Sequence, residues 1–193
     1  MTHLLPTHGF DWKHSNSSGY GTHQPVLYQA IQQTECSKHP MASMPILELG
    51  CGLFSTELIQ KFAGTRKIVS VDSDEAWLDQ YKAAYQNDNH EFKLLNFNEM
   101  QMSGCYSVVF VDQGCWQSRA DSLRHYSASA FFVVLHDSDY LPRELGVDFS
   151  KLYYYHKTFM PLQPYPYVTG PPTTILSNFV DVTSWEINYE DYQ

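Results

Sequence analysis

Pro45-Ile46-Leu47-Glu48-Leu49-Gly50-Cys51-Gly52-Leu53-Phe54-Ser55-Thr56, followed by Ile68-Val69-Ser70-Val71-Asp72, decides the fold. An apolar run closes on a glutamate and a Gly-x-Gly turn. A segment of helical composition follows, and a second apolar run closes on an aspartate. Asp72 stands 22 positions after Gly50. That spacing is one strand–turn–helix–strand unit with an acid where a ribose diol would lie. Glycine leaves backbone N–H groups open to a ligand, because no Cβ blocks the approach and positive φ is available. The unit predicts a nucleoside-bearing ligand.

The turn itself narrows the choice. A dinucleotide fingerprint carries a third glycine or an alanine where helix and strand pack beside a pyrophosphate. Ser55 holds that position, and Glu48 stands just before the turn. A carboxylate there repels a pyrophosphate and suits a cationic ligand. Glu-Leu-Gly-Cys-Gly-x-x-Ser-Thr resembles motif I of the class I S-adenosylmethionine-dependent methyltransferases. The resemblance implies an α/β fold with a doubly wound Rossmann-like sheet, mostly parallel with an antiparallel edge strand. It implies S-adenosylmethionine as cofactor, with Glu48 near its methionine end and Asp72 at its ribose. Gly50, Cys51, Gly52 and Ser55 form the cofactor turn, and Ser73, Phe97 and Asp112 are further expected cofactor contacts from neighbouring strand ends. A nicotinamide-dependent enzyme is the weaker alternative, because of Ser55.

Bulk properties fit one enzyme-sized domain spanning 1–193. The net charge of −9 and only 12 dispersed basic residues argue against a nucleic-acid partner, since phosphate binding needs clustered Lys and Arg. No apolar run of about 18 residues occurs, so no membrane span is expected. The start, Met1-Thr2-His3-Leu4-Leu5-Pro6, lacks the basic and apolar regions of a signal peptide. Cys36, Cys51, Cys105 and Cys115 show no C-x-x-C spacing. A reduced, cytoplasmic protein is the expectation.

Residues 1–20 read as an irregular arm. A helix is expected over 25–34, with Pro25 in its first turn, and a linker over 35–44. Strands are expected at 46–49, 67–71, 91–95, 106–112 and 131–135, with helices at 55–62, 75–85 and 116–126 between them. Segments 151–160 and 173–182 have strand composition and could pair antiparallel at the sheet edge, joined by the Pro-rich 161–172. The tail 186–193 reads as disordered or as a packed cap. Alternating elements followed by two strands are the order of a doubly wound sheet.

In such sheets ligands bind beyond the carboxyl ends of the strands. Those ends carry Asp72-Ser73-Asp74, Asn96-Phe97-Asn98, Asp112-Gln113-Gly114 and His136-Asp137. The pair Val-Asp112 and Leu-His136-Asp137 resembles a branch of class I methyltransferases with Asp-Gly after one strand and His-Asp after the next. Here Asp-Gln-Gly replaces Asp-Gly. Gly21-Thr22-His23-Gln24-Pro25, Trp77, Arg119 and Thr173-Thr-x-x-Ser-Asn178 extend the likeness to a group of small bacterial and phage proteins of this fold.

His136 beside Asp137 is the candidate general base, because imidazole titrates near neutrality. The same histidine could instead brace the loop. His23 is a second catalytic candidate, ahead of a helix that could fold over the cofactor. Asp112 and Asp137 are possible ligands for Mg²⁺, with His136 or Asp139 beside them. Trp116 and Arg119 read as helix packing or substrate contacts, and Gly170-Pro-Pro-Thr-Thr174 as a rigid turn feeding an edge strand. The expected activity is methyl transfer to a small molecule. The alternative is a non-catalytic S-adenosylmethionine-binding or regulatory protein on the same fold. The sequence leaves the acceptor and the oligomeric state open.

Overall fold

The computed structural model describes residues 10–12, 20–97, 101–161 and 170–192. Asn98, most of the expected arm with His3, His8 and His14, and most of the Pro-rich connection lie outside the described residues. The chain runs α1 (Gln24–Cys36), β1 (Ile46–Leu49), α2 (Thr56–Phe62), β2 (Ile68–Asp72), α3 (Glu75–Tyr85), β3 (His90–Leu94), β4 (Tyr106–Val111), α4 (Trp116–Tyr126), β5 (Ala130–His136), α5 (Tyr140–Leu145), β6 (Tyr155–Phe159) and β7 (Thr173–Ser177). One seven-stranded sheet has the order β3-β2-β1-β4-β5-β7-β6. Strands β1 to β5 pair in parallel, and β7 runs antiparallel to both β5 and β6. This is the doubly wound, mostly parallel sheet expected, with an antiparallel pair at one edge. The strand order reverses between β1 and β4, the switch point beside which such sheets bind ligands.

Strand alternation assigns side chains to faces. Ile46, Phe110 and Val134 pack with Leu27 and Ile31 of α1 and Leu58 and Ile59 of α2. Leu49, Val111 and Leu135 pack with Leu123 and Tyr126 of α4 and Leu141 of α5. Glu48, Asp112 and His136 continue the first set, two residues after Ile46, Phe110 and Val134. The period of two therefore sends all three towards α1 and α2. No helix among the described residues is long and apolar enough to cross a membrane.

The differences from the sequence reading sit after β5. Helix α5 was not expected. It has six residues, contains Pro142, and buries only Leu141, so it has no apolar period to read. Gly146 ends it at φ +62°, the left-handed position glycine tolerates best. Strand β7 stops at Ser177 rather than continuing to 182, because Ser177 Oγ accepts N–H bonds from Phe179 and Val180, both at 3.1 Å, and turns the chain. The tail packs as a cap: Tyr192 is buried against Trp12 and Tyr28, with ring centroids 4.9 and 6.0 Å apart.

Candidate functional site

The first half of the site is the turn after β1. Gly50 has φ +87°, and a Cβ there would lie 2.7 Å from the Asp112 backbone and 2.8 Å from Gln113 N. The close passage of the chain just after β4 therefore by itself requires glycine at position 50. Gly52 is the glycine that leaves room, since a Cβ there would meet only Ser55 Oγ at 3.8 Å. Asp72 Oδ2 accepts a bond from Cys51 N at 3.2 Å, and Oδ1 one from Asp74 N at 3.0 Å. Burial pushes the Asp72 carboxyl up, against the pull of these N–H groups. Trp77 Nε1 donates to Cys51 O at 2.7 Å and ties α3 to the turn. Ser73 is exposed beside Asp72, whereas Phe97 is buried with Leu49 and Val71.

Glu48 lies directly below this turn. It is fully buried. Thr56 Oγ1 donates to its two oxygens at 3.0 and 3.1 Å and accepts Gly52 N at 2.9 Å, and Ser70 Oγ donates at 2.5 Å. Through Thr56, which bonds both its carboxylate and Gly52 N, Glu48 shapes the turn from beneath. Burial pushes its carboxyl up to about 7, against the hydroxyls of Ser55, Ser70 and Thr56. Ser70 also meets His90 Nε2 at 2.7 Å, and burial holds His90 down at about 4.

The second half lies over the ends of β4 and β5. His136 is buried, with Nδ1 3.3 Å from Asp112 Oδ1 and Nε2 3.2 Å from Thr22 Oγ1. Arg119 organises this half. It donates to the carbonyls of Gln113, His136 and Asp112 at 2.6, 2.9 and 3.1 Å. It also pairs with the carboxylates of Asp112 at 3.0 Å and Asp137 at 3.4 Å. Burial pushes the Asp112 carboxyl up, but His136, Arg119 and His23 together outweigh it and hold it below its usual value. Asp137 is the one non-glycine residue with positive φ among the described residues, at 51°. Its carboxylate faces Arg119 and stands 3.7 Å from His136 Nε2. The Asp112–Asp137 pair read as possible Mg²⁺ ligands therefore already shares a guanidinium, whose positive charge opposes a cation between them.

His23 precedes α1 and is also buried, its ring 4.7 Å from that of Phe110 and 4.6 Å edge-on to His136. Burial, then the neighbouring His136, lowers its pKa to about 3. The whole 21–25 motif serves the site. Thr22 Oγ1 donates to Pro171 O at 2.9 Å, and Gln24 Nε2 to Phe54 O at 2.9 Å. A Cβ on Gly170 would lie 2.4 Å from Thr22 Cγ2, so the Gly170-Pro171-Pro172 turn rests directly on this motif. Thr174, Ser177 and Asn178, by contrast, bond Ser138 Oγ, Phe131 O and Ser127 O and serve the fold. Trp116 is a packing residue, sandwiched between Tyr140 at 4.4 Å and the Arg119 guanidinium at 4.6 Å. The sequence reading missed the central role of Arg119. The signal available was an arginine near the start of the helix that joins the two strands ending in acids.

Sheet order and strand direction are those of a Rossmann-like sheet of the kind found in solved methyltransferase structures. No protein-family model and no curated protein matches the sequence. Solved structures share the fold at low identity. The N-methyltransferase NodS from Bradyrhizobium japonicum WM9 aligns with a TM-score of 0.52 and 9% identity over 81% of this chain and 96% of that one. The 23S rRNA methyltransferase ErmE aligns at 0.50 and 12%, over 81% and 70%. WbdD aligns at 0.54 and 15% over 90% of this chain, which spans 44% of WbdD. Identities this low carry the fold alone.

Proposed function

We propose that this protein binds S-adenosylmethionine at the turn 50–55 and transfers its methyl group to a small-molecule acceptor. One observation carries the reading. The glycine turn, Asp72, and the Asp112–His136–His23 cluster converge on the carboxyl edge of one sheet, on either side of the β1–β4 switch. Asp72 is placed to take the ribose hydroxyls. Gly52, Cys51 N and Ser55 line the turn, with Ser73 and Phe97 flanking it. Catalysis is mainly alignment of the acceptor with the methyl group. The buried cluster adds withdrawal of the acceptor's proton, with Asp137 acting through Arg119 as a positioning group. The excess of 21 acidic over 12 basic residues favours a small acceptor over a nucleic acid. Four free cysteines accord with a reducing, cytoplasmic setting.

Calorimetry with S-adenosylmethionine, S-adenosylhomocysteine and NAD tests the cofactor. The two adenosyl compounds should bind and NAD should not. Tighter binding of NAD would overturn the reading. Formation of S-adenosylhomocysteine from a panel of small hydroxyl and amine acceptors then separates an enzyme from a binding protein.

A further inference from the structure

Among the described residues, His23, Asp112 and His136 each bring one donor atom within 4.8 Å of the others. We propose that these three side chains form a site for a divalent transition ion of the zinc class, on the acceptor side of the cofactor turn. This ligand set is distinct from the Asp112–Asp137 pair, which Arg119 holds.

Geometry brings the three together. Asp112 and His136 end neighbouring parallel strands and fall on the same face by the period of two. His23 comes down on that face from the start of α1. Thr22 Oγ1 donates to the Pro171 carbonyl and stands 3.2 Å from His136 Nε2, while His136 Nδ1 stands 3.3 Å from Asp112 Oδ1, so the ring is held with one nitrogen at the carboxylate. Neither ring nitrogen of His23 makes a hydrogen bond of sound geometry among the described residues, although the Phe54 backbone acts on the ring.

The donor set selects the ion. Two imidazoles and one carboxylate are the ligands of catalytic zinc sites, and of non-haem iron sites, that keep a further position open. Mg²⁺ prefers an all-oxygen octahedron. The surroundings resemble those that orient metal ligands. Thr22 fixes the His136 ring through Nε2, and Arg119 fixes the Asp112 carboxylate. Arg119 is shared by Asp112 and Asp137, so the two carboxylates and one guanidinium together keep one net negative charge beside the ion. An ion here would lower the pKa of an acceptor hydroxyl bound to it. That use rests on the methyl-transfer reading, whereas the binding does not.

The test uses the full chain, stripped with chelator and titrated with Zn²⁺ alone, without S-adenosylmethionine. One ion per chain is expected. Co²⁺ substitution should give ligand-field bands of nitrogen and oxygen coordination, without the thiolate charge-transfer bands of a cysteine site. His23→Gln and His136→Gln should each weaken Zn²⁺ by more than about 100-fold, beyond the loss expected for an outer partner. His39→Gln with His125→Gln, both exposed, should leave it unchanged. Urea unfolding of His23→Gln beside the wild-type apoprotein checks that the variant is folded. The cobalt spectrum of the wild type needs no variant at all. No stoichiometric binding, thiolate bands, or equal affinity in His23→Gln would overturn the site. S-adenosylmethionine affinity measured on the same samples separates the two readings. Cofactor binding without zinc sinks the metal site alone, and zinc without cofactor binding sinks the methyl-transfer reading alone.

Discussion

The β1–β2 end of the site and its β4–β5 end are built by opposite means. At the first, side chains serve the backbone: Glu48 holds Thr56, Thr56 takes Gly52 N, and Asp72 takes Cys51 N. The product is a shaped turn with backbone groups beside it, from residues 46–72. At the second, side chains meet each other across long separations. Thr22 and His136 touch although 114 positions apart, and Arg119 grips three carbonyls and two carboxylates. A turn of the first kind tolerates variation in its side chains provided the backbone keeps its path. A cluster of the second kind depends on each member, because every buried polar group lost strands its partners.

The contrast can be broken most forcefully at Arg119. Arg119→Leu leaves Asp112 and Asp137 without their common cation and strands three carbonyls. It should cost about 3–5 kcal/mol of stability by urea unfolding, the range for removing one partner of a buried pair. A loss under about 1 kcal/mol would mean that the second half is not held by side chains. Next comes His136→Ala. Turnover should fall by about 10²–10⁴, with S-adenosylmethionine affinity kept within a few-fold. Full activity in that variant would remove His136 from the chemistry.

Gly50→Ala sharpens the comparison from the other side. The left-handed φ and the clash with the Asp112 backbone should together cost about 2–4 kcal/mol of folding stability. Intact stability with lost cofactor affinity would restore Gly50 as a ligand-contact glycine. Asp72→Ala should weaken S-adenosylmethionine by tenfold to a hundredfold, about 1.5–3 kcal/mol, with little change in melting. Unchanged affinity would remove Asp72 from the ribose.

The smallest effect expected is a pH slope from the buried Glu48–Ser70–His90 chain. Glu48 is raised from 4.5 to about 7, so its contribution to stability is present below 4.5 and lost as pH rises to 7. His90 is lowered from 6.5 to about 4, so its contribution is present above 6.5 and lost as pH falls to 4. The two slopes oppose each other over the shared window. Glu48→Gln should therefore leave stability rising with pH, and His90→Gln should leave it falling, by denaturant unfolding at a series of pH values. Parallel slopes in the two variants would contradict the coupling of these groups beneath the turn.

The sequence by itself determined the sheet and the first half of the site. Apolar-rich runs in β1, β2, β4 and β5, broken only by single polar residues, mark strands covered on both faces. The Gly50-Cys51-Gly52 turn and Asp72 follow each other closely enough for local spacing to reveal their unit. The strand-end acids and His136 were also legible, because packing gives no reason for polar residues there. Only the tertiary structure decided what those residues do. Glu48 reads like a ligand contact, yet its hydrogen bonds run to Thr56 and Ser70. Gly50 reads like a ligand glycine, yet Asp112 occupies the space beside it. Arg119 reads like a substrate contact, yet it holds both strand ends. Helix α5 left no trace because one buried residue makes no period. His23 gained its meaning only when α1 settled across β4 and β5. Contacts over such separations are set by which faces pack together, and packing is a property of the folded chain that local pattern does not contain.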